Sequence, residues 1–169
     1  MRVYIAGPDV FRPDAAHWAD SVRALLARHG HQALIPLDGE EITATGIYHA
    51  NIEMIRSADA VLANLNPFRG HEPDSGTCVE VGFAIAQGKP VIGYVSDGRV
   101  LKDKIGQVGA DKPLDANGLH IENFGLPLNL MLAIPCRIVV GDLNSAVAEL
   151  SLALNAIPPL PSEPVPRRI

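Results

Sequence analysis

The chain has 169 residues, the length of a single domain, and it can bury a hydrophobic core without disulfide bonds or a structural metal. Apolar residues make up 47% and charged residues 20%, a composition that argues against disorder. The net charge of −5 disfavours nucleic acid as a partner, and no apolar run approaches the ~20 residues that span a bilayer. We therefore expect a cytoplasmic domain with no nucleic-acid or membrane partner and with both cysteines, Cys78 and Cys136, reduced.

The first part of the chain predicts three strands and two helices. A short apolar strand at Arg2–Ala6 is followed by a helical pattern between Asp14 and Gly30. A second strand at Ala33–Ile35 leads through a polar loop to a helix from near Gly46 to Ser57. The third strand covers Ala60–Leu65.

The second part begins with a loop at 66–76 that is rich in proline and glycine. It then predicts a helix, a strand, a mobile polar excursion, a short helical segment, a fifth strand and a last helix. In that order they cover Thr77–Gln87, Val91–Val95, 96–120, Gly125–Ile134, Arg137–Val140 and Ser145–Asn155. Residues 1–156 are thus expected to form one domain, followed by a proline-rich tail at 157–169.

Apolar strands that alternate with helices are typical of a parallel sheet covered on both faces. Five strands predict an α/β fold with a doubly wound, flavodoxin-like or Rossmann-like three-layer sandwich. Such sheets bind ligands at the carboxyl ends of their strands. The loops at 7–14, 36–45 and 66–76 all leave strand ends, so we expect the functional site where they converge.

The segment PFRGHEPDSGTCVEVG at 67–82 carries the clearest signs of chemistry. Asp74 precedes the predicted helix and Glu80 is expected in its first turn, where free N–H groups and the helix dipole stabilise an anion. An ionised carboxylate in a pocket can attack a sugar carbon, and a second can bind hydroxyls or assist proton transfer. A structural interpretation stays open, because Thr77-x-x-Glu80 matches a capping box and Asp74 could be a cap alone.

Three segments in the same order resemble the nucleoside 2-deoxyribosyltransferase family, and most closely its trypanosomatid branch. They are YIAGPDVF at 4–11, PFRGHEPDSGTCVEVGFA at 67–84 and FGLPLNLML at 124–132. The resemblance covers most of residues 1–155. It implies a salvage enzyme without a cofactor that transfers 2-deoxyribose between nucleobases. The implied intermediate is a covalent deoxyribosyl-glutamate, with net retention at C1′.

The resemblance also implies a role for individual residues. Glu80 would attack C1′, Tyr4 would orient Glu80, and Asp74 would hold sugar hydroxyls. The expected substrate-binding residues are Gly7 in the first motif, Phe11 against the base, Asp38 and Glu40 at the base edges, Asn51, and Asn129 and Met131 from a neighbouring subunit. A site shared in this way implies a homo-oligomer. From the residues alone, Tyr4 is better interpreted as a core aromatic at a strand end and the loop acids as solvated. Asn129 and Met131 could equally pack on a short amphipathic helix.

Asn51 departs from the family pattern, which in many members has an aspartate at this point. An asparagine can form hydrogen bonds but cannot act as a base. Proton transfer to the leaving base would then use Asp74, another acid or water.

Other chemistries have weaker support. His71 beside Glu72 and the pair His29 and His31 lack the converging ligands of a metal site, and no G-x-G-x-x-G or P-loop is present. Two other functions are considered: an N-glycosidase for (deoxy)nucleosides or nucleoside 5′-monophosphates, and a non-catalytic nucleoside-binding module on the same fold. Asp74 disfavours a monophosphate, because two anions about 3–4 Å apart in a partly dry site repel by several kcal/mol.

Overall fold

The computed structural model describes residues 1–39, 42–105 and 112–156, and five strands lie within them. They are β1 (Arg2–Ala6), β2 (Gln32–Leu34), β3 (Ala60–Asn64), β4 (Val91–Val95) and β5 (Arg137–Val140). The bounds of β1, β4 and β5 are as predicted, while β2 both begins and ends one residue earlier and β3 ends one residue earlier. At β2 the reason is local: the backbone N–H of Ile35 donates to the Asp38 carboxylate at 2.9 Å and so turns out of the sheet.

The same residues contain six α-helices and one 3-10 turn, of which all but the last helix lie between strands. The 3-10 turn covers Pro8–Phe11, and the helices are α1 (Ala15–Arg28), α2 (Ala44–Ser57), α3 (Ser75–Ala86), α4 (Leu101–Ile105), α5 (Leu130–Ala133) and α6 (Leu143–Ala156). The helical segment predicted from Gly125 was wrong in extent, because Gly125 has φ 72° and Asn129 caps a helix of a single turn. The predicted excursion contains α4 and an antiparallel bridge between Leu114 and His120, while the tail at 157–169 lies outside the described residues.

The sheet is entirely parallel, with the strand order β2-β1-β3-β4-β5. This is the flavodoxin-like order that the alternation of strands and helices predicts. The chain leaves β1 toward β2 on one side and returns to β3 on the other. The two connections therefore diverge at the carboxyl ends of β1 and β3, and a crevice opens between them.

Each face of the sheet has its own core. Helices α1 and α6 pack on one face around Ile5 and Leu62. Helices α2, α3 and α5 pack on the other around Val61 and Val81. Strands buried on both sides need apolar residues at successive positions, which accounts for the continuous apolar runs. The predicted three-layer sandwich is confirmed.

Two further expectations concern the cysteines and membranes. Cys78 is half-buried on α3, Cys136 is buried before β5, and neither is in a disulfide. Among the described helices, none has the length and apolar character to cross a bilayer.

Candidate active site

A cavity of about 440 Å³ opens in the crevice between the ends of β1 and β3. Its walls come from the loop after β1, the loop after β2, one side of α2 and the amino end of α3. The volume is typical of small-molecule sites. Five of the predicted residues line it: Gly7, Phe11, Asn51, Asp74 and Glu80.

Tyr4 and Glu80 form the central polar contact of this cavity. Tyr4 is fully buried in β1, and its hydroxyl donates to Glu80 Oε1 at 2.7 Å. The Asn51 amide from α2 donates to the same oxygen at 3.4 Å. One carboxylate oxygen is thus held by two donors, and Glu80 Oε2 has no partner among the described residues.

The cap of α3 belongs to Asp74 rather than to Thr77. Asp74 Oδ2 accepts hydrogen bonds from the backbone N–H of Thr77 at 2.9 Å and from its hydroxyl at 3.1 Å. The helix begins at Ser75, so Glu80 lies in the second turn, and the predicted position in the first turn was wrong. The capping-box interpretation is also wrong, because the Glu80 side chain accepts a hydrogen bond from Tyr4 and not from the backbone at the start of the helix.

The position of Glu80 reverses the expected effect on its acidity. Burial raises its pKa to about 7, and the charge of Asp74 adds to this rise. The hydrogen bonds from Tyr4 and Asn51 oppose it. A carboxylate with a pKa near neutrality exchanges protons readily at physiological pH, as expected of a group that does chemistry. Burial and the Glu80 charge also raise the Tyr4 pKa far above its ordinary value, so Tyr4 stays a donor.

Asp74 combines a structural contact with a free oxygen. Both of its hydrogen bonds use Oδ2, and Oδ1 has no partner in the described part of the chain. No lysine, arginine or histidine is among the residues that line the cavity. The described cavity wall therefore carries two carboxylates and no compensating cation. In the ranges that the structure describes, no three potential metal ligands converge.

Gly7 allows the loop after β1 to approach the end of β3. A Cβ at this position would lie 2.8 Å from the Cβ of Asn64, closer than real Cβ atoms come. The Asn64 amide in turn donates to Asp9 at 2.7 Å and holds the same loop. Position 7 therefore requires glycine because a larger residue would collide with the neighbouring strand β3.

The remaining predicted residues lie elsewhere in the single chain. The Asp38 carboxylate pairs with Arg23 and the Ile35 N–H and is not in the cavity wall, while Glu40 lies outside the described residues. The Asn129 side chain accepts a hydrogen bond from the Met131 backbone N–H at 2.9 Å, and Asn129 borders a second cavity. The Met131 side chain is 72% exposed. The roles expected of these residues stay predictions.

Sequence reasoning missed two neighbours of the cavity, Phe68 and Arg69. The Phe68 ring stacks on the Phe11 ring with a centroid distance of 5.6 Å, and the Arg69 guanidinium lies near both rings. The available signal was their position in the PFRG run, directly before the Asp74 motif. The apolar wall residues Leu37 and Ile47 carried no such signal.

The sheet order and the cavity at its reversal point define a flavodoxin-like α/β protein with a polar small-molecule site. A family model described as nucleoside 2-deoxyribosyltransferase matches residues 3–131. The chain belongs to the nucleoside 2-deoxyribosyltransferase family and is an enzyme of that class.

Three individual proteins illustrate the similarity. A 2-deoxyribosyltransferase from Leishmania mexicana is 41% identical, with a TM-score of 0.78 over 89% of this chain and 97% of that one. An uncharacterized protein of Schizosaccharomyces pombe is 31% identical over 76% of this chain and 74% of its own length. A CMP N-glycosidase from Clostridium botulinum is 14% identical, with a TM-score of 0.52 over 90% of this chain and 99% of that one, which shows a shared fold alone.

Proposed function

We propose that the enzyme transfers 2-deoxyribose from a nucleoside to a free nucleobase through a covalent intermediate on Glu80. The observation that carries this proposal is the arrangement of the Glu80 carboxylate in the cavity. Tyr4 and Asn51 hold Oε1, and Oε2 has no partner among the described residues. A nucleophile needs one oxygen that is oriented by the protein and one that is available to the substrate.

In the first step, Oε2 of ionised Glu80 attacks C1′ from the face opposite the nucleobase. The C1′–N bond breaks, and its electron pair stays on the base nitrogen, which takes up a proton from an acid or from water. In the second step, a ring nitrogen of the incoming base attacks C1′ and loses its proton to the same acid or to water, while the C1′–Oε2 bond breaks and Glu80 leaves as a carboxylate. Each displacement inverts C1′, so the sugar is transferred with net retention. No step needs a cofactor.

The sugar site follows from Asp74. Its free Oδ1 can accept hydrogen bonds from the sugar hydroxyls, while Oδ2 stays bound to Thr77. A 5′-phosphate would bring a further negative charge into a wall that carries Asp74 and Glu80 and no basic side chain among its residues. The site therefore favours nucleosides with a free 5′-hydroxyl over nucleoside 5′-monophosphates.

The base site follows from Phe11 and Asn51. Phe11 presents an exposed ring in the cavity wall, a surface on which a flat base can stack. Asn51 Oδ1 is buried and has no hydrogen-bond partner within the described residues. A buried acceptor of this kind gains from a substrate donor, and a hydroxyl or amino group of the substrate can supply one.

We also propose that the enzyme is a cytoplasmic homo-oligomer that acts in nucleoside salvage. Asn129 and Met131 do not line the described cavity of their own chain, so the substrate contacts expected of them require the site of a second copy. Cys78 and Cys136 form no disulfide in the structure, which is compatible with the cytoplasm. Gel filtration at micromolar concentration should give a dimer or a larger species. A fully active monomer would contradict the shared site.

The transfer proposal is tested by incubating the enzyme with deoxyinosine or thymidine and a different free base. We expect the exchanged nucleoside to form with retained configuration at C1′. Mass spectrometry of the protein should show a deoxyribosyl adduct on the peptide that contains Glu80. Glu80→Gln should reduce turnover by several orders of magnitude with folding preserved. The matched control is Glu53→Gln, which changes an exposed carboxylate on α2 and should leave turnover unchanged.

Two outcomes would overturn this proposal. Cleavage of a nucleoside 5′-monophosphate without any exchanged nucleoside would favour the N-glycosidase. Exchange without an adduct on Glu80, and with Glu80→Gln fully active, would remove Glu80 from the mechanism.

A further inference from the structure

Three side chains form a compact stack at the rim of the cavity. The rings of Phe11 and Phe68 lie nearly parallel, at an angle of 14° and a centroid distance of 5.6 Å. The guanidinium carbon of Arg69 lies 4.7 Å from the Phe68 centroid and 5.5 Å from the Phe11 centroid. Both distances are within the ~6 Å over which a cation is attracted to an aromatic ring.

Phe11 needs support from its neighbours to keep one orientation. Its side chain is 59% exposed, so the core does not hold its ring. Phe68 and Arg69 lie in a loop that the Phe68 N–H closes by donating to the carbonyl of Glu72 at 2.9 Å. This loop follows β3, whereas Phe11 follows β1, so the stack joins the two loops that diverge at the crevice.

The left-handed backbone conformation of Arg69 favours a functional role for its side chain. Arg69 has φ 53°, and it is the only non-glycine residue with positive φ in the described ranges. Glycine adopts this conformation without strain, and an arginine does not. Strain of this kind persists where the surrounding structure holds it, and it is concentrated at functional sites. Across the described residues no carboxylate forms an ion pair with Arg69, so the two rings are its defined partners.

We propose that Phe68 and Arg69 are positioning residues that hold the Phe11 ring in place as the stacking surface for the nucleobase. The inference rests on the proposed function, since it takes the ligand of Phe11 to be a flat, uncharged base. A ring fixed before binding saves the entropy that a free ring would lose when the base stacks on it. The stack acts on the base alone, because the proposed sugar contacts come from Asp74, the cap of α3, and from Glu80 within that helix.

The test compares Arg69→Gly and Phe68→Leu with the wild-type enzyme. Glycine suits the backbone at position 69, so Arg69→Gly should keep its melting temperature within a few degrees while it removes the guanidinium. Isothermal titration with free hypoxanthine or adenine should show a Kd about two- to fivefold higher. KM for the acceptor base should rise by a similar factor, and kcat should change less. Arg69→Lys, which keeps the cation, should recover part of the loss.

The matched control is Arg12→Gln. Arg12 adjoins Phe11 in the chain and carries the same charge, but its guanidinium pairs with Asp14 at 2.9 Å. The Arg12→Gln variant should therefore bind the free base with the same Kd as wild type. If Arg12→Gln weakens base binding as much as Arg69→Gly, the loss is a general effect of removing a positive charge and the proposed role of the stack is wrong. If Arg69→Gly and Phe68→Leu bind the free base as tightly as wild type, or wild type binds no base, the proposal is wrong.

The titration separates this proposal from the proposed reaction. If wild type binds the free base but never exchanges deoxyribose, the transfer mechanism fails and the comparison of base affinities still decides the role of the stack. If exchange proceeds and the variants match wild type in Kd and KM, only the stack is refuted.

Discussion

Replacing Tyr4 by phenylalanine removes one hydrogen bond from the nucleophile and little else. The Tyr4 hydroxyl donates to Glu80 Oε1 at 2.7 Å, and the ring is fully buried among the residues between the sheet and α3. Phenylalanine fills the same space, so the fold should persist. The hydrogen bond lowers the Glu80 pKa against the effect of burial, so its loss must raise that pKa above about 7.

The size of the effect follows from the type of hydrogen bond. A hydrogen bond to a charged group contributes about 1.5–3 kcal/mol, and about 1.4 kcal/mol corresponds to one pH unit. The midpoint for ionisation of Glu80 should therefore rise by about 1–2 pH units. Near pH 7 the ionised fraction would fall from about one half to roughly 1–10%. Since only the anion attacks C1′, kcat/KM near neutrality should fall by about 5- to 50-fold.

The assay is the exchange of deoxyribose followed by chromatography across a pH series. The wild-type profile of kcat/KM should rise with pH and level off above about 7. The Tyr4→Phe profile should rise later and recover much of its loss at high pH. Tyr94→Phe is the control: Tyr94 is also buried in the sheet, but it belongs to the opposite core and should leave the profile unchanged. A Tyr4→Phe midpoint equal to or below the wild-type midpoint would refute the reasoning.

Three further predictions concern stability and binding. Because the Glu80 pKa is raised from 4.5 to about 7, folded protein binds an extra proton between these values and loses stability as pH rises through them. At pH values above about 7, Glu80→Gln should therefore increase the free energy of unfolding by up to ~3 kcal/mol and raise the melting temperature in calorimetry. Below about pH 4.5 this gain should vanish. Asp74→Asn keeps the helix cap, so it should unfold in urea like wild type, but its KM for the nucleoside should rise. Asp74→Ala removes the cap, and its free energy of unfolding should fall by about 0.5–2 kcal/mol. Gly7→Ala should lose about 1–3 kcal/mol in the same urea assay, since its Cβ meets Asn64; an unchanged midpoint would contradict that contact.

The sequence by itself determined the architecture and the motif at the centre of the site. Continuous apolar runs such as Val91–Val95 mark strands buried on both faces, and their alternation with helices leaves few topologies. The loops after β1, β2 and β3 therefore had to meet at one edge, which brought Gly7, Phe11 and Asp74 to the same cavity. These features depend on local pattern and on a general rule of connectivity, so a single sequence is enough to predict them.

The tertiary structure alone decided how the acids are held. Tyr4 and Glu80 are 76 residues apart, and only the packing of α3 on β1 makes them a hydrogen-bonded pair. Burial in that layer gives Glu80 a pKa of about 7, whereas its position in the chain suggested a stabilised anion. The same packing directs Asp38 to Arg23 and stacks Phe68 and Arg69 on Phe11. Burial and contacts between distant segments arise from three-dimensional packing, and no local pattern of residues specifies them.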